Sequence, residues 1–255
     1  MFRELLKAVR EEASGERARA SVAAISRFHR VQSSPGYDEA ARWLEDALRE
    51  DGLEPEREDI PGDGATRFLG ILMPRGWECS RGMAILHDGS GRETLCDYAT
   101  DPLSLVLRSA PVAGTYPIVD VGQGTEAADY EARAVRGAVV LSRGAAHRVH
   151  RLAVVERGAA GMLTDVRRLV PPVRGADDER DALNYTSFWW SEREERGWGF
   201  VVRPETGDRL RARLADGAAL RLEVAIESRD YAGHIPLVTT RVGPPDLPEV
   251  MVTAH

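Results

Sequence analysis

Apolar residues near the start of the chain recur at helical spacing. Phe2, Leu5, Leu6 and Val9 fall on one face with charges between them. Ser14-Gly15 interrupts, and Ala18, Val22 and Ile25, with Phe28 or His29, predict a second helix. A turn cluster, Ser33-Ser34-Pro35-Gly36, follows. The third predicted helix starts near Tyr37 and Asp38, where early acids suit the helix dipole. It packs Ala40, Trp43, Leu44 and Leu48, and Gly52 stops it at the C′ position. Residues 53–60 alternate loosely and predict a strand, so the chain opens as an α/β protein.

The pattern changes after Pro61-Gly62-Asp63-Gly64, where short strands and turns take over. Strands are predicted at residues 68–73, 82–86, 103–107 and 116–121, with Asp88-Gly89-Ser90-Gly91 closing the second. Residues 138–141 are a continuous apolar strand. A helix over 145–157 turns Val149, Leu152, Ala153 and Val155 inward, and Gly158-Ala159-Ala160-Gly161 leads from it into a strand at 162–164. That strand–helix–strand spacing predicts a parallel pair. Residues 166–183, charged and carrying Pro171-Pro172, read as a mobile loop. A strand at 199–202 and a short helix opened by Gly207-Asp208 come next. Residues 220–226 alternate cleanly, with Leu220, Leu222, Val224 and Ile226 on one face. A strand at 235–242 and a last one at 250–254, ending on His255, complete the pattern.

Composition narrows the class. A chain of 255 residues with 43% hydrophobic content can bury one large core or two modest ones. The net charge of −7 supplies no basic face for nucleic acid. Cys79 and Cys96 make neither a disulfide framework nor a metal cluster, and they fit small buried residues in a reducing compartment. The charged N-terminus has no apolar signal region, and no stretch approaches the roughly 20 apolar residues of a membrane span. The expectation is a soluble, cytoplasmic protein with no nucleic-acid or membrane partner.

Candidate chemistry is sparse. Gly122-Gln123-Gly124-Thr125-Glu126-Ala127 loosely matches a dinucleotide fingerprint, but the strand at 138–141 ends in Ser142-Arg143 and offers no acid for a ribose. A glycine-rich turn is the preferred reading. His147 and His150, spaced to share a helical face, lie among Arg143, Arg148 and Arg151, which disfavour a metal. Trp189, Trp190 and Trp198, near Phe188, are candidates for a substrate cleft, against core packing under a loop. His29 and His87 read as structural, and His234 has no evident partner. Nucleophile-elbow, Cys-x-x-Cys, His-Glu-x-x-His and Walker motifs are not present. His255, at the end of an apolar β-branched run, is left without the further ligands that a catalytic zinc requires.

The order of segments resembles the co-catalytic zinc aminopeptidases and carboxypeptidases that carry an inserted protease-associated (PA) domain. Residues 30–40, Arg-Val-Gln-Ser-Ser-Pro-Gly-Tyr-Asp-Glu-Ala, with Ala41-Arg42-Trp43-Leu44 and 48–53, resemble that family's opening turn and helix. Residues 117–124, 135–141 and 153–163 resemble the PA domain, 237–241 the returning strand, and 248–255 the strand bearing the first zinc ligand. The resemblance implies a partial α/β/α zinc-exopeptidase domain, residues 1–62 and 236–255, interrupted by a β-rich PA-like domain at 63–235. It implies two zinc ions in the intact site, a peptide substrate, and an inserted domain forming one wall of the substrate cleft. Only His255 matches a ligand position. The bridging aspartate, the glutamate pair, a further aspartate and a second histidine have no counterpart in this sequence.

The expectation is therefore the N-terminal part of a zinc exopeptidase, of aminopeptidase type. Alone it would not bind zinc stably or hydrolyse peptides, and it could associate through an exposed sheet edge. Two alternatives remain: a non-catalytic PA-fold binding module, and a nucleotide-binding protein using residues 122–127.

Overall fold

The computed structural model describes residues 2–188, 196–244 and 246–254. The chain divides into two compact units, Met1–Gly76 with Ala232–His255, and Trp77–Tyr231.

The first unit opens with α1 (Phe2–Glu12), α2 (Gly15–Ile25) and α3 (Pro35–Glu50). Side chains set the helix starts. Ser14 Oγ accepts from Arg17 N at 3.2 Å, and Ser34 Oγ accepts from Tyr37 N at 3.3 Å. Pro35 takes the first turn of α3, where its missing N–H costs nothing. Gly52, with φ of 79°, lies just past the end of α3 as the sequence predicts. The helix packs against an antiparallel pair, β1 (Glu56–Gly62) and β11 (Gly233–Thr239), joined from Glu56↔Thr239 to Gly62↔Gly233.

Two expectations fail in this unit. Residues 68–73 are not one strand but a hairpin, β2 (Arg67–Phe68) and β3 (Ile71–Leu72). Leu69 and Gly70 have φ of 49° and 82°, which reverses the chain in a two-residue turn. The last strand is also not formed: residues 250–254 are irregular, and Val250, Met251 and Val252 are exposed. An apolar β-branched run becomes a strand only against a neighbouring edge, and among the described residues none pairs with it. The apolar face of α1 is likewise exposed at Phe2, Leu5, Leu6 and Val9.

The second unit is built on a seven-stranded sheet in the order β5-β4-β10-β6-β7-β8-β9. Its strands are β4 (Gly76–His87), β5 (Arg92–Asp97), β6 (Val112–Asp120), β7 (Val139–Ser142), β8 (Gly161–Thr164), β9 (Gly199–Val201) and β10 (Arg221–Tyr231). β6 through β9 run parallel, including the predicted pair β7–β8. β10 lies antiparallel to β6 and buries Leu222, Val224 and Ile226, the face its alternation marks. The core gathers Val106, Val121, Val140, Val149, Met162 and Val201. Among the described residues no helix is long and apolar enough to cross a membrane.

Local outcomes differ from the sequence pattern at several points. β5 was not legible, because Arg92, Glu93 and Thr94 are exposed and give it no apolar alternation. Residues 103–107 begin as a 3-10 turn (Pro102–Ser104) and then make only bridges, Leu105↔Phe200 and Leu107↔Ser187. The helix over 145–157 is one α turn, α4 (Ala146–Val149), continuing as a π-helix (His150–Val155). The wider π turn leaves Val155 exposed instead of inward. α5 (Pro204–Ala215) starts before the predicted Gly207 because Pro204 suits the first turn.

The segment expected to be a mobile loop is stapled from within. Glu179, almost wholly buried, accepts from Arg168 N at 2.7 Å, Asn184 Nδ2 at 3.1 Å and Arg174 Nη1 at 3.2 Å. Such a carboxylate replaces water with donors drawn from both arms of the loop.

Candidate functional site

Charged side chains concentrate at the carboxyl ends of the parallel strands in the second unit. In open α/β sheets this is where crevices form. Asp120 ends β6, Arg143 follows β7, and Asp165 follows β8. Asp165 is fully buried. Its carboxylate accepts from Arg211 Nη1 at 2.6 Å and Nη2 at 2.7 Å, a bidentate pair across from α5. Arg211 Nε also donates to Asp120 at 3.1 Å. Arg143 lies 3.5 Å from Asp165 and pairs with Asp208, which also accepts from Arg167 at 3.0 Å. Asp120, Asp165 and Asp208 thus balance Arg143, Arg167 and Arg211. The network clasps α5 to the sheet, and its internal pairing spends its charge.

Beside this clasp lies a cavity of about 260 Å³. His147, Val166, Arg168, Tyr185, Thr186 and Ser187 line it, so α4 forms one side and the two arms of the stapled loop the other. A second hollow, also of about 260 Å³, lies against His147, Arg148, Arg151 and Leu152. His147 and His150 do not share a face. His147 is exposed, whereas His150 is buried with its ring 5.1 Å from that of Phe188.

The first unit holds a separate cluster. Arg57, on β1, pairs with Asp38 and Glu45 on α3, donates to Asp59 at 2.9 Å, and lies 3.2 Å from His234 Nε2. His234 is therefore not alone: its Nε2 is also 3.3 Å from Asp38. The register Pro61↔His234 brings it there, a pairing that no local pattern reveals. Burial works to raise the Asp38 carboxyl, and the hydrogen bonds from Arg57 and His234 overcome it, holding it below its ordinary value.

That cluster does not fit a metal ion. Asp38, Asp59 and His234 approach one another, but the Arg57 guanidinium lies among them and puts a cation where a metal would need open ligands. Among the described residues no group of three or more His, Cys, Asp or Glu converges as a metal site. His255, the ligand implied by the family resemblance, lies outside the described residues, as do Trp189 and Trp190.

Trp198 is described and is buried. It packs on Tyr116 and Phe200, with ring centroids at 5.4 and 6.5 Å. Gly161 leaves room for it, since a Cβ there would lie 2.5 Å from the indole. His87 meets Glu223 at 2.7 Å, and the burial of His29 lowers its basicity, both in structural settings. Gly122 and Gly124 have φ of 64° and 66°, and only a 3-10 turn, Ala127–Tyr130, follows. The segment is a glycine turn closed by Tyr130, whose hydroxyl donates to Gly124 O at 2.7 Å; it does not open a helix onto a phosphate.

Sequence reasoning missed Asp165, Glu179 and Arg211. An acid directly after the apolar strand at 162–164 was a visible signal for Asp165, whereas its partner comes from α5, 46 residues away.

No protein-family profile matches this sequence, and no curated protein matches it. Solved structures do. An aminopeptidase from Aneurinibacillus sp. strain AM-1 aligns with a TM-score of 0.53 at 17% identity, over 92% of this chain and 50% of that one. A peptidase M28 precursor from Shewanella amazonensis aligns with a TM-score of 0.58 at 12% identity, over 87% and 47%. A zinc aminopeptidase from Bacillus subtilis aligns with a TM-score of 0.51 at 14% identity, over 91% and 48%. The chain spans about half the length of these structures. At such identities the likeness is one of fold: a mixed α/β chain with a large sheet-built body, shared with two aminopeptidases, one of them a zinc enzyme, and an M28 peptidase over nearly all of its own length.

Proposed function

We propose that this chain is one portion of a zinc-dependent exopeptidase of aminopeptidase type, with the sheet-built unit Trp77–Tyr231 as an inserted PA-like domain. The observation that carries the reading is the shared fold: solved aminopeptidase structures align with 91–92% of this chain. In the whole protein His255 would be one zinc ligand, and peptides would be the substrate. The described residues do not fit a zinc site, so no hydrolytic step is assigned to them. By this reading the remaining ligands and the catalytic base belong to the part of the fold that this chain does not match.

The test is zinc-dependent release of p-nitroaniline from an aminoacyl p-nitroanilide. The chain alone is expected to release none. The protein translated from the whole open reading frame is expected to release it, to stop on chelation and to recover with zinc.

A second reading, a non-catalytic binding module, draws support from the self-contained core of the unit Trp77–Tyr231. It calls for a monodisperse chain with one sharp thermal transition. The exopeptidase reading instead expects exposed apolar segments to drive association, which size-exclusion chromatography distinguishes.

A further inference from the structure

We propose that the cavity at the carboxyl ends of β7 and β8 is a subsite for the carboxylate of a peptide. The inference rests on the exopeptidase reading for its peptide, and on the cavity's own residues for its charge.

The lining is cationic and hydroxylated. Arg168 lines the cavity with His147, Tyr185, Thr186 and Ser187, and no acidic side chain is among the described lining residues of either hollow. Neighbouring cations are already spoken for: Arg148 meets Glu126 at 3.2 Å, and Arg151 meets Glu156 at 3.3 Å. Arg168 differs. Its guanidinium donates to the carbonyl of Tyr185 at 3.0 Å, and among the described residues it pairs with no carboxylate. His147 makes no described hydrogen bond or ion pair. A cation and an imidazole thus face one cavity without a matching anion among the described residues.

Arg168 is also held in place. Its backbone N–H donates to buried Glu179, and its guanidinium is tied to the opposite arm of the loop. Fixing a long side chain before binding removes much of the entropy that an ion pair otherwise costs. The guanidinium keeps further N–H donors for a carboxylate, and the hydroxyls of Thr186 and Ser187 add neutral ones. The matching ligand is a small, flat anion on an otherwise uncharged chain. An acidic side chain and a peptide's C-terminal carboxylate share that chemistry.

Three pentapeptides separate the sources in calorimetric titrations of the purified chain at low salt. Ala-Ala-Ala-Ala-Glu with an amidated end carries only a side-chain carboxylate. Penta-alanine with a free end carries only the terminal one. Ala-Ala-Ala-Ala-Gln with an amidated end carries neither. One carboxylate peptide is expected to bind about tenfold tighter than the neutral peptide, and which one does so identifies the source. Arg168→Ala is expected to remove that preference, while Arg168→Lys, keeping charge but not the fork, retains part of it. Equal binding of all three peptides, no binding at all, or a preference that survives Arg168→Ala would overturn the proposal. The assay requires neither zinc nor turnover, so loss of the hydrolytic reading in its own assay leaves this result unaffected.

Discussion

Arg211 grips Asp165 with both ends of its guanidinium, at 2.6 and 2.7 Å, and Asp165 has no exposure to solvent. This pair ties α5 to the end of β8. Breaking a buried ion pair from one side strands the other charge. Arg211→Met is therefore expected to destabilise the chain by about 3 kcal/mol, the lower part of the usual range because Arg143 stays near. The double variant Asp165→Leu/Arg211→Met is expected to recover a large share of that loss. Denaturant titration followed by tryptophan fluorescence reports on it, since Trp77, Trp189, Trp190 and Trp198 all fall in the affected unit. A double variant no better than the single one would contradict the clasp.

Gly207 gives a prediction opposite in sign to helix propensity. It sits within α5, where alanine would normally gain up to about 1 kcal/mol. A Cβ there would lie 2.2 Å from Asp165 Oδ2, which two arginines hold in place. Gly207→Ala is expected to lower the melting temperature. In an Asp165→Gly background, where the carboxylate and the Cβ that also crowds this position at 2.8 Å are both gone, the same change is expected to cost much less.

The acid response of the first unit follows from depressed carboxylates. Backbone hydrogen bonds from Thr66 and Ala65 and the Thr66 hydroxyl lower the Asp63 pKa to about 2. A depressed folded-state pKa contributes stability that is complete above the ordinary value of 3.8 and lost as pH falls through about 2. Amide exchange at Ala65 and Thr66, taken relative to the intrinsic rate at each pH, is expected to accelerate across that window. In Asp63→Asn the acceleration is expected to shrink, because no charge remains to be lost.

The thiols are expected to be slow. Burial raises Cys79 to about 11, and Cys96 is raised further by full burial. At pH 8 little thiolate forms, and a chromogenic disulfide reagent is expected to label the native chain at under about a tenth of the denatured rate. Rapid native labelling of Cys96 would mean that the second unit opens readily.

What the sequence revealed was mostly local. The alternation of Leu222, Val224 and Ile226 predicts the buried face of β10, and Gly52 marks the end of α3, because each follows from backbone period or a single φ requirement. Phe2, Leu5, Leu6 and Val9 predict α1 itself, but periodicity does not say what covers that face. The clasp and the Arg57 cluster join residues tens to nearly two hundred positions apart, so their partners emerge only from tertiary placement: strand register for Asp38 and His234, and the packing of α5 for Asp165 and Arg211. Leu69 defeats the reading at 68–73 because a left-handed leucine in a tight turn has no apolar-pattern signature.

The most direct measurement is aminopeptidase activity against an aminoacyl p-nitroanilide, with zinc added and with zinc chelated, for this chain and for the product of the whole open reading frame. The account predicts no turnover by the chain under either condition and zinc-dependent turnover by the whole product. Zinc-dependent turnover by the chain alone, or none by the whole product, would contradict it.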